Sequence, residues 1–544
     1  VYKRQGVILI TTKNNADGKM RINYSGRFSV SAPTACTDFI TTGYDAAVLA
    51  DEFNKSYNGS PYTRYDGEDF RQLYQRRNDR TENPDRPWVV QKNGKYMYYA
   101  NFNWYDYLFD YTQPTWDHDL SISGGNEKFN YLVSGNHYTK EGLYAQNTDK
   151  YTTNNLNMKF GGKVKPWLSI NGAARLFHSN YRSPGYDFED GGNIPNYTFH
   201  AMPFITPYNP DGSSVYTTEV TGSAPADGMA AAVAQGRAFS QLKQTQYTTT
   251  IGGVITPLEG WSIVGTFSYK RYQREKTFRS ANISYSDAYG EMKTATTGFF
   301  SDKLRENSAV EEHYTYDLYT TYEHSINRHN FKVLAGMNHE AYRYKLIYGA
   351  KSSLQSDYLN DLNLGTGVAE ASGGQSRWAL LGFFGRGTYD FAGKYLAEVN
   401  FRWDGSSRFP KHDRWGFFPS VALGWRISEE NFMEPLRKVI DNVKLRASVG
   451  SLGNQAIADS YPYIQSLSPS LSTSYLMNGN KIYITSLGAP QSGDLTWETI
   501  ITKNLGLDLG FFGNRLTATA DFYIRDTKDM LIPGKELPGV YGMA

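Results

Sequence analysis

The stretch Tyr395-Leu-Ala-Glu-Val-Asn-Phe-Arg-Trp-Asp404 interleaves two kinds of residue. Tyr395, Ala397, Val399, Phe401 and Trp403 make one set; Leu396, Glu398, Asn400, Arg402 and Asp404 make the other. Successive side chains of a strand point to opposite faces, so the stretch reads as a β-strand with one apolar face and one face in water. The pattern recurs. Leu516, Ala518, Ala520, Phe522 and Ile524 alternate with Thr517, Thr519, Asp521, Tyr523 and Arg525. Met20, Ile22, Tyr24, Phe28 and Val30 alternate with Arg21, Asn23, Ser25, Arg27 and Ser29, and Leu505, Leu507 and Leu509 oppose Asn504, Gly506 and Asp508.

Alternation alone suits a soluble sandwich as well as a membrane wall. The connections separate the two. About fifteen strands are predicted, at 20–30, 116–124, 128–139, 151–164, 166–177, 245–257, 261–273, 312–326, 329–342, 377–391, 394–404, 416–428, 441–451, 500–510 and 514–527. Short linkers such as Gly125-Asn126-Glu127, Leu258-Glu259-Gly260 and Ala392-Gly393 take turns with long ones at 31–115, 140–150, 178–244, 274–311, 343–376, 405–415 and 452–499. A transmembrane barrel has this arrangement, with tight periplasmic turns on one rim and long outward loops on the other. Aromatic residues near strand ends, namely Tyr138, Trp167, Tyr269, Tyr322, Tyr389, Trp403, Trp415 and Trp425, read as interfacial girdles. Within the first long loop, Ala46, Val48, Leu49 and Phe53 predict a short amphipathic helix over Gly43–Phe53.

Composition agrees with a large β protein. The 544 residues include 43 Tyr, 29 Phe and 51 Gly, yet mean hydropathy is only −0.56. No run reaches the ~18 apolar residues of a membrane helix, whereas barrel strands escape hydropathy averages because they alternate. A net charge of +2, from 56 basic and 54 acidic residues, calls for no nucleic-acid partner. The single cysteine, Cys36, excludes an internal disulfide framework. Gly387 to Lys394 differs from a phosphate loop in spacing and in having Tyr395 where Ser or Thr is required. Asp211-Gly-Ser and Asp404-Gly-Ser read as turns. No catalytic constellation, metal site or cofactor motif emerges, so the reading is not an enzyme.

One apolar run does not alternate: Gly6-Val7-Ile8-Leu9-Ile10 in "GVILITTK". A short continuous run fits a strand buried on both faces. That run, with Trp116-Asp-His-Asp-Leu-Ser-Ile-Ser-Gly-Gly125, Pro207-Tyr-Asn-Pro-Asp-Gly212, Leu381-Gly-Phe-Phe-Gly-Arg386, Asp404-Gly-Ser-Ser-Arg-Phe409, Arg414-Trp-Gly-Phe-Phe-Pro-Ser420, Gly424-Trp425, Glu430, Lys444-Leu-Arg-Ala-Ser448, Trp497-Glu498 and Asn504-Leu-Gly506, resembles the SusC/RagA family of TonB-linked outer-membrane transporters of Bacteroidota. The resemblance implies an all-β transmembrane antiparallel barrel, about 22-stranded in the family and closed by an N-terminal plug. It implies that residues 1–19 are the end of the plug and 20–544 a partial barrel, with a signal peptide, the TonB-contacting segment and the last strands lying outside this chain. Residues 1–5 depart from the family pattern and read as artefactual.

The implied activity is import of oligosaccharides or peptides across the outer membrane, driven by the TonB–ExbB–ExbD complex, with a SusD-like surface lipoprotein as lid. Tyr181, Tyr186, Tyr197, Tyr285, Tyr289, Tyr475 and Tyr483 are expected to face substrate from the loops. Arg386, Glu398, Arg402, Asp404 and Asp521 are expected to face the lumen. The alternatives are a siderophore or haem receptor of the same architecture and, in another class, a surface β protein that binds or degrades glycans.

Overall fold

The structure is a computed structural model that describes residues 18–34, 38–126, 128–184, 201–221, 237–295, 301–436, 439–456, 460–488 and 493–530. Gly6–Ile10, and with them nearly all of the expected plug strand, lie outside the described residues.

Fifteen strands form one sheet. They are β1 Gly18–Ser31, β2 Gln113–Gly125, β3 Phe129–Glu141, β4 Lys150–Lys165, β5 Leu168–Pro184, β6 Phe239–Leu258, β7 Trp261–Ser280, β8 Lys303–Ile326, β9 His329–Ser352, β10 Glu370–Phe391, β11 Tyr395–Ser406, β12 Trp415–Arg426, β13 Ile440–Asn454, β14 Glu498–Phe511 and β15 Leu516–Lys528. Each pairs antiparallel with its sequence neighbour and no connection crosses over. Short turns and long loops alternate throughout, so every long loop emerges on one rim.

Register assigns the faces. Val399 lies opposite Gly387 on one side and Val421 on the other, and Val421 is opposite Val449. Following such rows round the sheet puts Ile22, Leu120, Phe267, Leu318, Phe383, Phe401, Leu423, Leu505 and Phe522 on one face. Large apolar residues stand exposed along it, including Leu318, Val333, Phe417, Leu423 and Leu505. A water-soluble protein buries such a surface; here it is the surface that meets lipid.

The strands reach further toward the long-loop rim than sequence predicts. β8 and β9 are each 24 residues long, where about 9–11 cross a bilayer. Beyond Ala341 the alternation persists but inverts. Arg343 and Lys345 now share the outer face, while Tyr344, Leu346 and Tyr348 take the inner one. Above the lipid the outer face meets water, so the apolar signal that marks the strand changes sides and the predicted linkers 274–311 and 343–376 shrink.

The expected girdles fall on the outer face, with one correction. Trp403 and Trp415 pack at 4.7 Å and both lie near Phe383 toward the long-loop rim. Tyr389 packs on Phe331 at 5.0 Å toward the short-turn rim. Tyr395 to Trp403 is eight steps, about 27 Å of strand; tilted by ~40°, that is about 20 Å of height, close to the ~25 Å apolar band of such barrels. Tyr138 instead sits on the inner face, opposite Asp117 and Thr153, because its own strand places His137 and Thr139 outside.

Candidate functional site

The inner face is a charged wall. Arg386 pairs with Glu398 at 2.5 Å, and Asn400 bonds both Glu398 and Ser420. Arg402 holds Asp404 with two bonds of 2.8 and 3.0 Å and lies over the Phe384 ring. Arg446 forks onto Asp508 and reaches Asp521 at 3.2 Å. Gly506 makes that last cluster fit: a Cβ there would stand 2.7 Å from both the Arg446 guanidinium carbon and Asp521 Oδ1. On the outer face, Gly385 leaves the space that the Phe401 ring occupies. Toward the short-turn rim a hollow of about 1130 Å³ opens, lined in part by Lys332, Glu398, Lys444 and Arg446.

At that rim Glu430 collects three donors. The Tyr395 hydroxyl at 2.7 Å, the Trp425 indole N–H at 3.1 Å and Lys394 Nζ at 3.2 Å all converge on its carboxylate. Tyr395 first, then Trp425, holds the Glu430 carboxyl below the usual range. The arrangement ties two girdle aromatics to the turn between β12 and β13.

The long-loop rim carries the chain's main apolar core. Helix α1, Gly43–Asn58, and helix α2, Gly67–Arg76, pack with the hairpin Val89–Lys92/Lys95–Tyr98 and the short helix α3, Trp104–Leu108. Phe204, Ile205, Val215 and Val220 from the 185–238 loop, and Ile283 from the 281–302 loop, complete it. Gly43 starts α1 against the Ala100 carbonyl, where a Cβ would collide with the oxygen. Asn209, from the Pro207–Gly212 motif, is buried; it accepts from the Tyr98 hydroxyl at 2.8 Å and donates to Ser286 at 2.7 Å. Asp66 caps α2 by accepting from the Glu68 and Asp69 N–H groups. Lys92 lies 2.8 Å from Asp66 and 2.6 Å from the buried Asp69, which also accepts from Tyr99. The Lys92 bond, with the Asp69 N–H, lowers the Asp66 carboxyl to about 2.

A second cluster joins two later loops. Phe409, fully buried, packs on Trp497 at 5.3 Å, and Phe418 meets the same indole edge-on. The Trp497 N–H donates to the Arg414 carbonyl at 2.9 Å.

Comparison with known proteins agrees with this architecture. The family model described as "TonB dependent receptor-like, beta-barrel" matches residues 178–542. The chain belongs to the TonB-dependent receptor β-barrel family. TonB-dependent receptor P3 of Formosa agariphila is 26% identical over 450 residues, which is 82% of this chain and 43% of that protein. TonB-dependent receptor SusC of Bacteroides thetaiotaomicron is 28% identical over 452 residues, 79% of this chain and 43% of that one. A solved structure of the RagAB peptide transporter superposes with a TM-score of 0.69 at 20% identity, covering 98% of this chain and 57% of its own. The chain thus spans less than half the length of the curated relatives it matches. It is a receptor barrel of SusC/RagA type and an outer-membrane protein.

In this receptor the residues singled out in sequence fall into different places. Arg386, Glu398, Arg402, Asp404 and Asp521 stand on one face, in the three ion-pair groups above. Asp404-Gly-Ser is not a turn: it is the end of β11, and the reversal comes at 407–414, because Asp404 and Ser406 still pair with β10. Asp211 does build a turn, accepting from Ser213 N at 2.9 Å.

The loop tyrosines are not brought together. Tyr181 lies on β5, on the inner face, in a ladder with Tyr151 and Tyr138 at 6.3 Å each. Tyr285 packs on Tyr216 at 4.8 Å, Tyr289 lies over Lys95 Nζ at 4.9 Å, and Tyr475 and Tyr483 stand exposed on the hairpin Leu467–Met477/Asn480–Leu487. Tyr186 and Tyr197 lie outside the described residues. Sequence reasoning passed over the inner stack of His313, Tyr342 and Trp378 (centroids 4.6 and 5.7 Å apart), capped by Arg408 over the indole. The signal was present: Tyr342 and Trp378 sit at opposite parity to the apolar runs of their strands.

Two outcomes follow from these clusters. Trp497→Ala costs about 3–5 kcal/mol of local stability, read as lost hydrogen-exchange protection at Ser406 and its neighbours in the 407–414 loop; unchanged protection contradicts the cluster's role. Asp66 titrates near 3.8 when unfolded and about 2 when folded, so its contribution is present above pH ~4 and lost as pH falls through ~2. Protection of the Glu68 and Asp69 amides, corrected for intrinsic exchange, therefore holds from neutral pH to about 4 and declines toward 2. Asp66→Ala lacks it at every pH.

Proposed function

We propose that the chain is the barrel portion of an active importer that moves oligosaccharides or peptides across the outer membrane. In this reading residues 1–19 end a plug and residues 20–544 form barrel and outward loops. The observation that carries it is the split polarity of the wall: an apolar outer face and an inner face of paired charges that suits an aqueous path. Barrels this large are closed by a plug, and opening one takes work. The outer membrane has no ATP, so the energy comes from the proton-motive force through TonB–ExbB–ExbD acting on the plug.

A SusD-like lipoprotein seated on the long-loop rim, above the packed unit of α1 to α3, completes the importer. Tyr285, Tyr289, Tyr475 and Tyr483 then face cargo from the rim, with Tyr181 just below them, and Arg386, Glu398, Arg402, Asp404 and Asp521 line the path. The naming of one relative as SusC, and of a structural neighbour as a peptide transporter, supports cargo of this size class. Deleting the intact gene is expected to abolish growth on, and uptake of, one oligosaccharide or peptide class, with recovery on complementation. Unchanged uptake of every oligosaccharide and peptide tried sinks the reading.

A further inference from the structure

Above the lipid-facing band, the outer surface is basic. On seven consecutive strands, β4 to β10, the first fully charged residue met on the outer face on moving from the band toward the long loops is Lys150, Arg182, Lys243, Arg271, Glu312, Arg343 and Arg377 in turn. Six of the seven are cations. At the other end of the same faces, down to Phe160, Ile170, Ile255, Trp261, Tyr322, Phe331 and Tyr389, there is no charged residue at all. The cations also share a level. Arg271 stands one outward step beyond Tyr269, and Tyr269 packs on Tyr314 at 5.0 Å. Arg343 and Arg377 are two outward steps beyond His339 and Leu381, about 13 Å of strand.

Several of these cations have acidic neighbours. Glu141 takes Lys150 at 2.8 Å, Glu275 lies opposite Lys243, and Glu312 is 3.9 Å from Arg271. One group has cations in excess. Arg343 is directly opposite Arg377 and Lys345 follows two residues on; all three are exposed. The only carboxylate facing the group is Glu312, opposite Arg343, and it already accepts from the Tyr269 hydroxyl. Arg343 lies over the Tyr314 ring at 5.9 Å, so it is anchored at the interface rather than free in solution. Like charges directly opposite on a sheet repel, and an anion between them removes the cost.

We propose that Arg343, Arg377 and Lys345 bind a phosphorylated headgroup of an outer-leaflet lipid, and that the belt from Lys150 to Arg377 seats the barrel against such headgroups. Guanidinium groups engage phosphate with paired, charge-assisted hydrogen bonds, and basic residues at an anionic membrane surface draw it electrostatically. The site faces lipid, so its occupant carries acyl chains; a soluble anion has no part in it. The proposal does not depend on what the barrel carries.

The test uses the full-length receptor in neutral detergent, titrated with lipid A bearing its phosphates and with the same lipid dephosphorylated. Retained lipid is counted by native mass spectrometry. Wild type retains the phosphorylated form in preference, and added salt erodes that preference. R343Q/R377Q loses it by roughly ten- to thirty-fold, whereas K332Q, on the inner face, keeps it. If the double variant gives no heat-modifiable barrel, K345Q/R377Q and the salt titration of wild type decide the matter. The proposal is overturned if wild type does not distinguish the two lipids, if the variants keep the preference, or if inorganic phosphate displaces the lipid at equal concentration.

Discussion

Within a bilayer no water is available to an unpaired backbone N–H or C=O, and leaving one unpaired costs several kcal/mol. Every other feature of this receptor depends on meeting that demand within the wall. The solution is a meander in which each strand pairs with the next along the chain, with no crossover. Because pairing is local in sequence, register propagates from strand to strand, and one apolar face at Val399 fixes the faces of Val421 and Val449 two strands away. A slip of one residue anywhere would turn charged residues such as Arg446 and Glu398 into lipid.

A wall of this kind has no interior of its own. One face meets lipid and the other the lumen, so the apolar packing that organises a soluble domain has to be found elsewhere. Here it is at the long-loop rim. The α1–α3 unit gathers three loops far apart in sequence around Phe204, Tyr98 and Tyr99, and the Phe409–Trp497 contact ties two more. Loops with their own core present a surface of defined shape, which is what recognition of cargo or of a lid protein needs. At the opposite rim a single carboxylate, Glu430, fixes the girdle residues Tyr395 and Trp425.

All fifteen wall strands were legible in the sequence because lipid and lumen impose opposite demands on alternate residues, as in Tyr395–Asp404. Their upper ends were not. Past Ala341 the outer face meets water and the inner face takes Tyr344 and Leu346, so the pattern inverts where a reader expects it to continue. The inner charges were legible as a set, but their pairing was not: Arg446 was passed over as a partner for Asp521 because only register brings β13, β14 and β15 together there. Motif residues such as Phe409, Phe418 and Trp497 were visible as a family resemblance; their contact is a matter of tertiary structure. The loop tyrosines were least predictable, since an aromatic in a loop packs on its neighbours as readily as it faces solvent.

The division of the wall into two faces is tested most directly by scanning accessibility along β11. With Cys36 replaced, a spin label is placed singly at each position from 395 to 404 of the full-length receptor in membranes. Collisions with oxygen, enriched in lipid, and with a water-soluble nickel chelate are then measured. The account predicts a two-residue period, oxygen dominating at 395, 397, 399, 401 and 403 and nickel at the positions between. Equal nickel access at both sets, or a period near 3.6, would contradict it.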